Sequence, residues 1–90
     1  MLNIVSSNRF KKDLKLALRR GYKIELLEEV VNKLASGITL ESKYKDHELS
    51  GDFKGLRECH ITPDWLLIYQ VIENELVLFL SRTGTHSDLF

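Results

Sequence analysis

The chain has 90 residues, an apolar fraction of 43% and a formal net charge of zero. This length suffices for one modest hydrophobic core and is too short for two, so we expect a single domain over residues 1–90. The longest apolar runs have four or five residues, as in 76–80, which argues against a membrane protein because a membrane helix needs about 20. The chain begins without a signal-peptide pattern and its one cysteine, Cys59, cannot form an internal disulfide, so we expect a cytoplasmic protein.

The N-terminal part of the chain predicts a short strand followed by two helices. Leu2 and Ile4 alternate with polar neighbours, as in a strand, and the hydroxyl and amide side chains at 6–8 can cap a helix start. Two stripes of apolar residues at helical spacing follow, each ending at a glycine that can stop a helix, Gly21 or Gly37. The stripes are Phe10, Leu14, Ala17 and Leu18, and then Ile24, Leu27, Val30, Val31 and Leu34. Because few residues separate the helices, we expect an antiparallel helical hairpin.

The first predicted helix concentrates the positive charge of the chain. Residues 1–24 hold seven basic residues and one acid, whereas the remaining residues hold six basic residues and twelve acids. Lys11, Lys12 and Lys15 lie opposite the apolar stripe, and such local basic density can bind a phosphate backbone whatever the total charge. An ordinary solvated helix face is the alternative interpretation. We treat the three lysines as candidate substrate-binding residues.

The second half predicts a long loop and a three-strand antiparallel meander. Residues 38–54 are mostly polar and predict a loop. A loop of this length in a small domain is often functional. Three stretches with strand character follow and are joined by short turns. They are residues 56–61, 65–72 and 76–82. We expect residues 83–90 to form a tail without helix or strand. The sum is an α+β domain in which an N-terminal strand and the meander form one sheet, with the helical hairpin over one face.

The predicted meander brings titratable and charged side chains to one end of the sheet. The end of the first meander strand lies beside the start of the second, which places His60 near Asp64 and Trp65. The third strand runs back to the same end and carries Arg82 there, and His86 follows within a few residues. Side chains from distant parts of the sequence are therefore expected to converge.

Such a set of side chains suits RNA cleavage by transesterification. The reaction needs a base for the 2′-hydroxyl proton, an acid for the departing 5′-oxygen and positive charge on the phosphorane-like transition state. Histidine titrates near neutrality and arginine offers a guanidinium fork. The rings of Trp65, Phe90 and Tyr69 could stack on unpaired bases. The bland alternative is that the histidines are ordinary surface residues.

Other kinds of site have less support. His47, His60, Asp64 and His86 could ligate zinc, but their spacing matches no compact metal motif, so we expect neither a metal nor a cofactor. Cys59 next to His60 could form a nucleophile and base pair, yet neighbouring strand residues point to opposite faces, so Cys59 is expected in the core. The isolated glycines do not form a phosphate-binding loop.

Two stretches of the sequence resemble a known family. The stretches YKDHELSGDFKGLRECHITPDWLLIY (44–69) and SRTGTHSDLF (81–90) are similar to the YafQ branch of the RelE/ParE toxin superfamily. The pieces D-H-x-L-x-G, R-x-x-H-x-x-P-D-W and R-T-G-T-H-x-x-L-F occur together and in order, which is more specific than any one of them. The resemblance implies a RelE-like fold and a toxin of a bacterial type II toxin–antitoxin system that cleaves messenger RNA, often in the ribosomal A site.

The resemblance also implies roles for individual residues. By this resemblance His86 is the general acid, and Arg82 binds and stabilises the transition state. The base and positioning roles fall to three further residues in an order that stays open: His47, His60 and Asp64. Trp65 and Phe90 would hold the nucleotide.

Partners are implied in the same way. They are a cognate antitoxin, messenger RNA and the ribosome, within a toxin–antitoxin hetero-oligomer that binds operator DNA through the antitoxin. Ribosome-dependent members tend to be basic, whereas this chain is neutral, which weakens the case for the ribosome. The rival hypothesis is a non-catalytic binding toxin of the same fold, such as a gyrase-directed or inactive relative, because one fold can host either function.

Overall fold

The computed structural model describes all 90 residues and consists of one five-stranded sheet with two long helices on one face. The helices and strands are, in chain order, β1 (Asn3–Ser6), α1 (Asn8–Arg19), α2 (Ile24–Ala35), β2 (His47–Glu48), β3 (Arg57–Thr62), β4 (Trp65–Ile72), β5 (Val77–Gly84) and α3 (His86–Leu89). Single turns of 3-10 helix occupy Ser42–Tyr44, Gly51–Phe53 and Glu73–Glu75. The expected α+β architecture is confirmed. None of the helices has both the length and the apolar character that a membrane crossing requires.

The strand order of the sheet is β1-β5-β4-β3-β2. The antiparallel meander of β3, β4 and β5 is present as predicted, and the N-terminal strand joins it by pairing in parallel with β5. Strand β2 was not predicted. It pairs antiparallel with β3 through His47 and Glu58, and its two residues are too few to show an alternating pattern in the sequence.

The two long helices begin and end where the sequence predicts. The hydroxyl of Ser7 accepts a hydrogen bond from the backbone N–H of Phe10 at 2.9 Å and caps α1. Gly21 and Gly37 follow the ends of α1 and α2 with φ of +84° and +76°, a conformation that other residues adopt at a cost. Both helices bury their stripes against the sheet in the main core. Leu18 is an exception, because 45% of it is exposed.

The opposite face of the sheet carries a smaller apolar cluster formed by Leu66, Ile68 and Leu89. Leu89 belongs to α3, so the expectation of an irregular tail is wrong. A one-turn helix forms here because the hydroxyl of Thr85 caps the backbone N–H of Asp88 while the carboxylate of Asp88 caps that of Thr85, and because Leu89 is buried. Strand β5 also extends to Gly84, two residues beyond the predicted end.

Candidate active site

A cleft of about 630 Å³ opens at the end of the sheet where β3 turns into β4. It brings together three of the five predicted catalytic residues: His60 from β3, Asp64 from the turn and His86 from α3. The cleft is also lined by Tyr22, Glu58, Pro63, Leu66, Thr85 and Ser87. The convergence expected from antiparallel connectivity is therefore present for these three side chains.

Glu58 is a site residue that the sequence interpretation missed. Its side chain is only 10% exposed, and its Oε1 lies 3.6 Å from Nε2 of His47 and 3.7 Å from Nε2 of His60. A carboxylate at this position can accept a hydrogen bond from either ring after a small movement, and so orient it. The signal for it was present in the sequence: Glu58 and His60 are two apart on one strand and therefore share a face of the sheet, opposite the buried Cys59.

His47 stands beside the cleft and reaches it through Glu58. Its ring is half exposed, and its Nδ1 lies 2.7 Å from the carbonyl oxygen of Lys45. A carbonyl oxygen only accepts hydrogen bonds, so Nδ1 must carry a proton. Nε2 is the ring nitrogen of His47 that faces Glu58.

His86 is the first residue of α3 and is exposed at the cleft. The centroid of the Phe90 ring lies 5.0 Å from that of the imidazole ring and 5.2 Å from that of the Phe53 ring. Half of Phe90 is exposed to solvent. An aromatic surface is thus available beside His86 for stacking on a base.

Arg82 lies at the correct end of the sheet, but its guanidinium group does not line the cleft. Its Nε and Nη2 donate to the two carboxylate oxygens of Asp13 on α1, at 2.7 and 3.2 Å, and the backbone N–H of Thr83 donates to the same carboxylate. The hydrogen bonds that Arg82 donates to Asp13 raise the pKa of Arg82, against an opposing effect of burial. The expected convergence of Arg82 with the histidines is not found, because the acidic residue of α1 holds it.

Trp65 is a core residue, so the expectation that it contacts nucleotide is wrong. It is 1% exposed, and its ring packs against that of Tyr22 with 5.0 Å between the centroids. The side chain points toward the helices because β4 alternates between the two faces of the sheet. Tyr69 is equally buried and donates its hydroxyl to Asp46, so it cannot stack on a base either.

Cys59 is buried, as its position in the strand predicts. It is 0% exposed, and burial raises the pKa of its thiol to about 12. A neutral buried thiol is a poor nucleophile, so the cysteine and histidine pair rejected from strand geometry is also unsupported here. No group of three or more histidine, cysteine, aspartate or glutamate side chains is arranged to hold a metal ion.

The three candidate lysines on α1 form an exposed surface outside the cleft. Lys11, Lys12 and Lys15 are all exposed, and none of them lines the cleft. Their helix packs against β5, the strand that leads into α3. A role in binding RNA stays a prediction for these residues.

Comparison with known proteins identifies the family. Residues 2–90 match the family described as "Bacterial toxin of type II toxin-antitoxin system, YafQ". The chain is 39% identical to the mRNA interferase toxin YafQ of Escherichia coli K12 over 89 residues, which are 98% of this chain and 95% of that protein. Among solved structures, a metal-bound toxin from Helicobacter pylori is 50% identical with a TM-score of 0.94 and full coverage of both chains. A chain of the E. coli DinJ–YafQ complex is 38% identical with a TM-score of 0.90, covering 100% of this chain and 99% of that one. The chain therefore belongs to the YafQ family of bacterial toxins from type II toxin–antitoxin systems.

Proposed function

We propose that this chain is an endoribonuclease toxin that cleaves messenger RNA by metal-independent acid–base transesterification. The observation that carries the proposal is the single cleft that holds His60, Asp64 and His86 beside the carboxylate of Glu58. Glu58 and His60 come from β3, Asp64 from the turn that follows it and His86 from α3, and imidazole and carboxyl groups are of the kinds that enzymes use for proton transfer. The E. coli relative named an mRNA interferase toxin supports the same activity.

The proposed reaction needs one base and one acid on opposite sides of the scissile phosphate. His60, oriented by Glu58, removes the proton of the 2′-hydroxyl, and the 2′-oxygen attacks phosphorus. His86 donates a proton to the 5′-oxygen as the bond from phosphorus to that oxygen breaks. The products are a 2′,3′-cyclic phosphate and a free 5′-hydroxyl. We assign the base to His60 in preference to His47 because His60 lines the cleft, whereas His47 contacts it only through Glu58.

Arg82 is the proposed source of positive charge for the transition state. Its fork is occupied by Asp13 and its side chain is 25% exposed. A phosphate group presents the same pair of acceptor oxygens as a carboxylate, so it can compete with Asp13 for the guanidinium group. We propose that Arg82 turns from Asp13 to the scissile phosphate when RNA binds.

Phe90 and the lysines of α1 are the proposed contacts with the rest of the RNA. Phe90 offers a half-exposed ring next to His86 for a base. Lys11, Lys12 and Lys15 would attract the phosphate backbone beyond the cleft, in a manner that weakens with added salt.

We also propose that the toxin acts in the cytoplasm, where messenger RNA is translated, and that a cognate antitoxin silences it. DinJ and YafQ of E. coli form a toxin–antitoxin complex. An antitoxin segment laid over the lysines of α1 and the cleft would neutralise positive charge and block access to RNA. A non-catalytic binding toxin is a weaker alternative, since a pure binder has no need of imidazoles gathered in one cleft.

The decisive experiment is incubation of the purified chain with a defined messenger RNA, with and without ribosomes and with and without a chelator. We expect cleavage that chelator leaves unchanged, because the acid and the base are side chains. Mass analysis of the fragments should show cyclic phosphate ends. Absence of cleavage both with and without ribosomes would refute the nuclease, and loss of cleavage with chelator would refute metal independence alone.

Replacing Glu58 with glutamine tests the proposed support for the base. Glu58→Gln keeps the shape of the side chain but removes the charge, so we expect kcat for RNA cleavage to fall by about 10- to 100-fold, with a small change in KM. The matched control is Glu48→Gln. Its side chain is 82% exposed and forms an ion pair with Arg57 and not with a histidine, so kcat should stay at the wild-type value. Equal activity of the two variants would remove Glu58 from the mechanism.

A further inference from the structure

An ion pair ties the last turn of the chain to the end of the first helix, and the proposed mechanism does not use it. Nη1 and Nη2 of Arg20 donate to the two carboxylate oxygens of Asp88 at 2.6 and 3.2 Å. The two residues are 68 positions apart in the sequence. Such a two-bond fork fixes both distance and orientation, which a single charge contact does not.

The helix that this ion pair holds is too short to be stable alone. Helix α3 has four residues, and isolated helices shorter than about 12 residues are marginal in water. Its order must therefore come from its N-terminal cap and from contacts with the rest of the fold. These are the capping box with Thr85, the burial of Leu89 and the fork from Arg20.

Asp88 is the point at which these contacts meet. One oxygen of its carboxylate accepts both from Arg20 and from the backbone N–H of Thr85. The hydrogen bond with Arg20 is the largest cause of a pKa for Asp88 far below the usual range, so the carboxylate is charged throughout the neutral range. A Cβ at position 84 would lie 3.0 Å from an oxygen of the same carboxylate. Because Gly84 has no side chain, the carboxylate of Asp88 can pack directly against the backbone.

The ion pair also joins two segments that line the cleft. Tyr22, two residues after Arg20, lines the cleft and packs on the buried ring of Trp65. Thr85, His86 and Ser87, which precede Asp88, line the cleft as well. We therefore expect a separation of Arg20 from Asp88 to let the segment that carries His86 move relative to the segment that is packed on the core.

We propose that the Arg20–Asp88 fork is the positioning device of this site: it fixes α3 so that His86 is held at the cleft in the geometry for proton transfer. Arg20 and Asp88 are positioning residues that act through His86. The inference rests on the proposed ribonuclease function, since it specifies how the acid of that reaction is held.

The kinetic test compares Arg20→Ala with Arg19→Ala, which removes the same charge from the neighbouring position. We expect Arg20→Ala to lower kcat by about 10- to 100-fold with little change in KM, because small misplacement of a catalytic group is costly. Arg19 is exposed and has no ion-pair partner, so its variant should keep the wild-type kcat. Arg20→Lys keeps the charge but loses the fork, and should recover only part of the lost kcat.

The structural test follows the same variants by NMR, without RNA. Carbon-13 titration should show the carboxyl pKa of Asp88 rising in Arg20→Ala, and nitrogen-15 relaxation should show residues 85–90 becoming mobile. Because the fork lowers the pKa of Asp88 in the folded chain, its contribution is complete above the unfolded value of about 3.9 and is lost as the pH falls toward the folded value. The wild-type turn should thus stay ordered at neutral pH and loosen only in acid.

The outcomes separate this inference from the proposed function. Mobile residues 85–90 together with a lowered kcat in Arg20→Ala would support it. If the wild-type chain cleaves RNA and Arg20→Ala cleaves it with the same kcat, the inference is overturned, whether or not residues 85–90 become mobile. A wild-type chain that cleaves no RNA would overturn the proposed function and, with it, the catalytic part of this inference.

Discussion

Replacing His86 with alanine is expected to lower kcat for RNA cleavage by about 10²- to 10⁴-fold, the usual contribution of a positioned general acid. The 5′-oxygen is a poor leaving group when it departs as an anion, so loss of its proton donor should slow the step that breaks its bond to phosphorus. His86 is exposed, and its ring lies beside that of Phe90. The free energy of unfolding should therefore change little.

The measurement is single-turnover cleavage of a defined RNA at saturating protein, alongside urea unfolding of the same preparation. A second variant, His86→Asn, keeps a polar side chain but cannot titrate near neutrality, so it should lose as much activity as His86→Ala. Near wild-type kcat in either variant would show that His86 is not the acid. An equal loss of stability and activity would instead point to a structural role.

Replacing Trp65 with alanine is expected to destabilise the fold by about 3–5 kcal/mol, the range found when large aromatic residues are removed from a core. Trp65 is 1% exposed and packs in the main cluster, against Tyr22, which lines the cleft. A loss of this size is a large part of the stability of a small domain, so the variant should be partly unfolded at growth temperature.

Urea unfolding of Trp65→Phe and Trp65→Ala, with RNA cleavage of the folded fraction, distinguishes a core role from a nucleotide-binding role. Trp65→Phe fills most of the space and should keep wild-type kcat and KM. Phe90→Ala serves as the contrast, because half of Phe90 is exposed and its loss should raise KM with little change in unfolding free energy. A raised KM with normal stability in Trp65→Phe would contradict the core role and show that Trp65 contacts RNA.

The parts of the fold that the sequence predicts are those governed by local patterns. The apolar stripes of α1 and α2, the cap at Ser7 and the stop at Gly21 all depend on residues within one or two turns. The order of the meander follows from short turns, which allow only antiparallel neighbours.

The elements that were missed are too short to carry a periodic signal. Strand β2 has two residues and exists because it pairs with β3, and α3 has four residues and exists because of its cap and the ion pair with Arg20. The T-x-x-D sequence of the capping box at Thr85 was a readable sign of α3, but four residues are far fewer than a stable isolated helix needs.

Antiparallel connectivity, which the sequence predicts, brings the segments that carry His60, Asp64 and His86 to the same end of the sheet. Which of the charged and aromatic groups point into the cleft depends on long-range packing. Arg82 is drawn to Asp13 on α1, Trp65 turns into the core, and Glu58 stands between two imidazoles. A side chain's direction depends on strand alternation and on partners from distant elements, and such partners become neighbours only when the helices pack on the sheet.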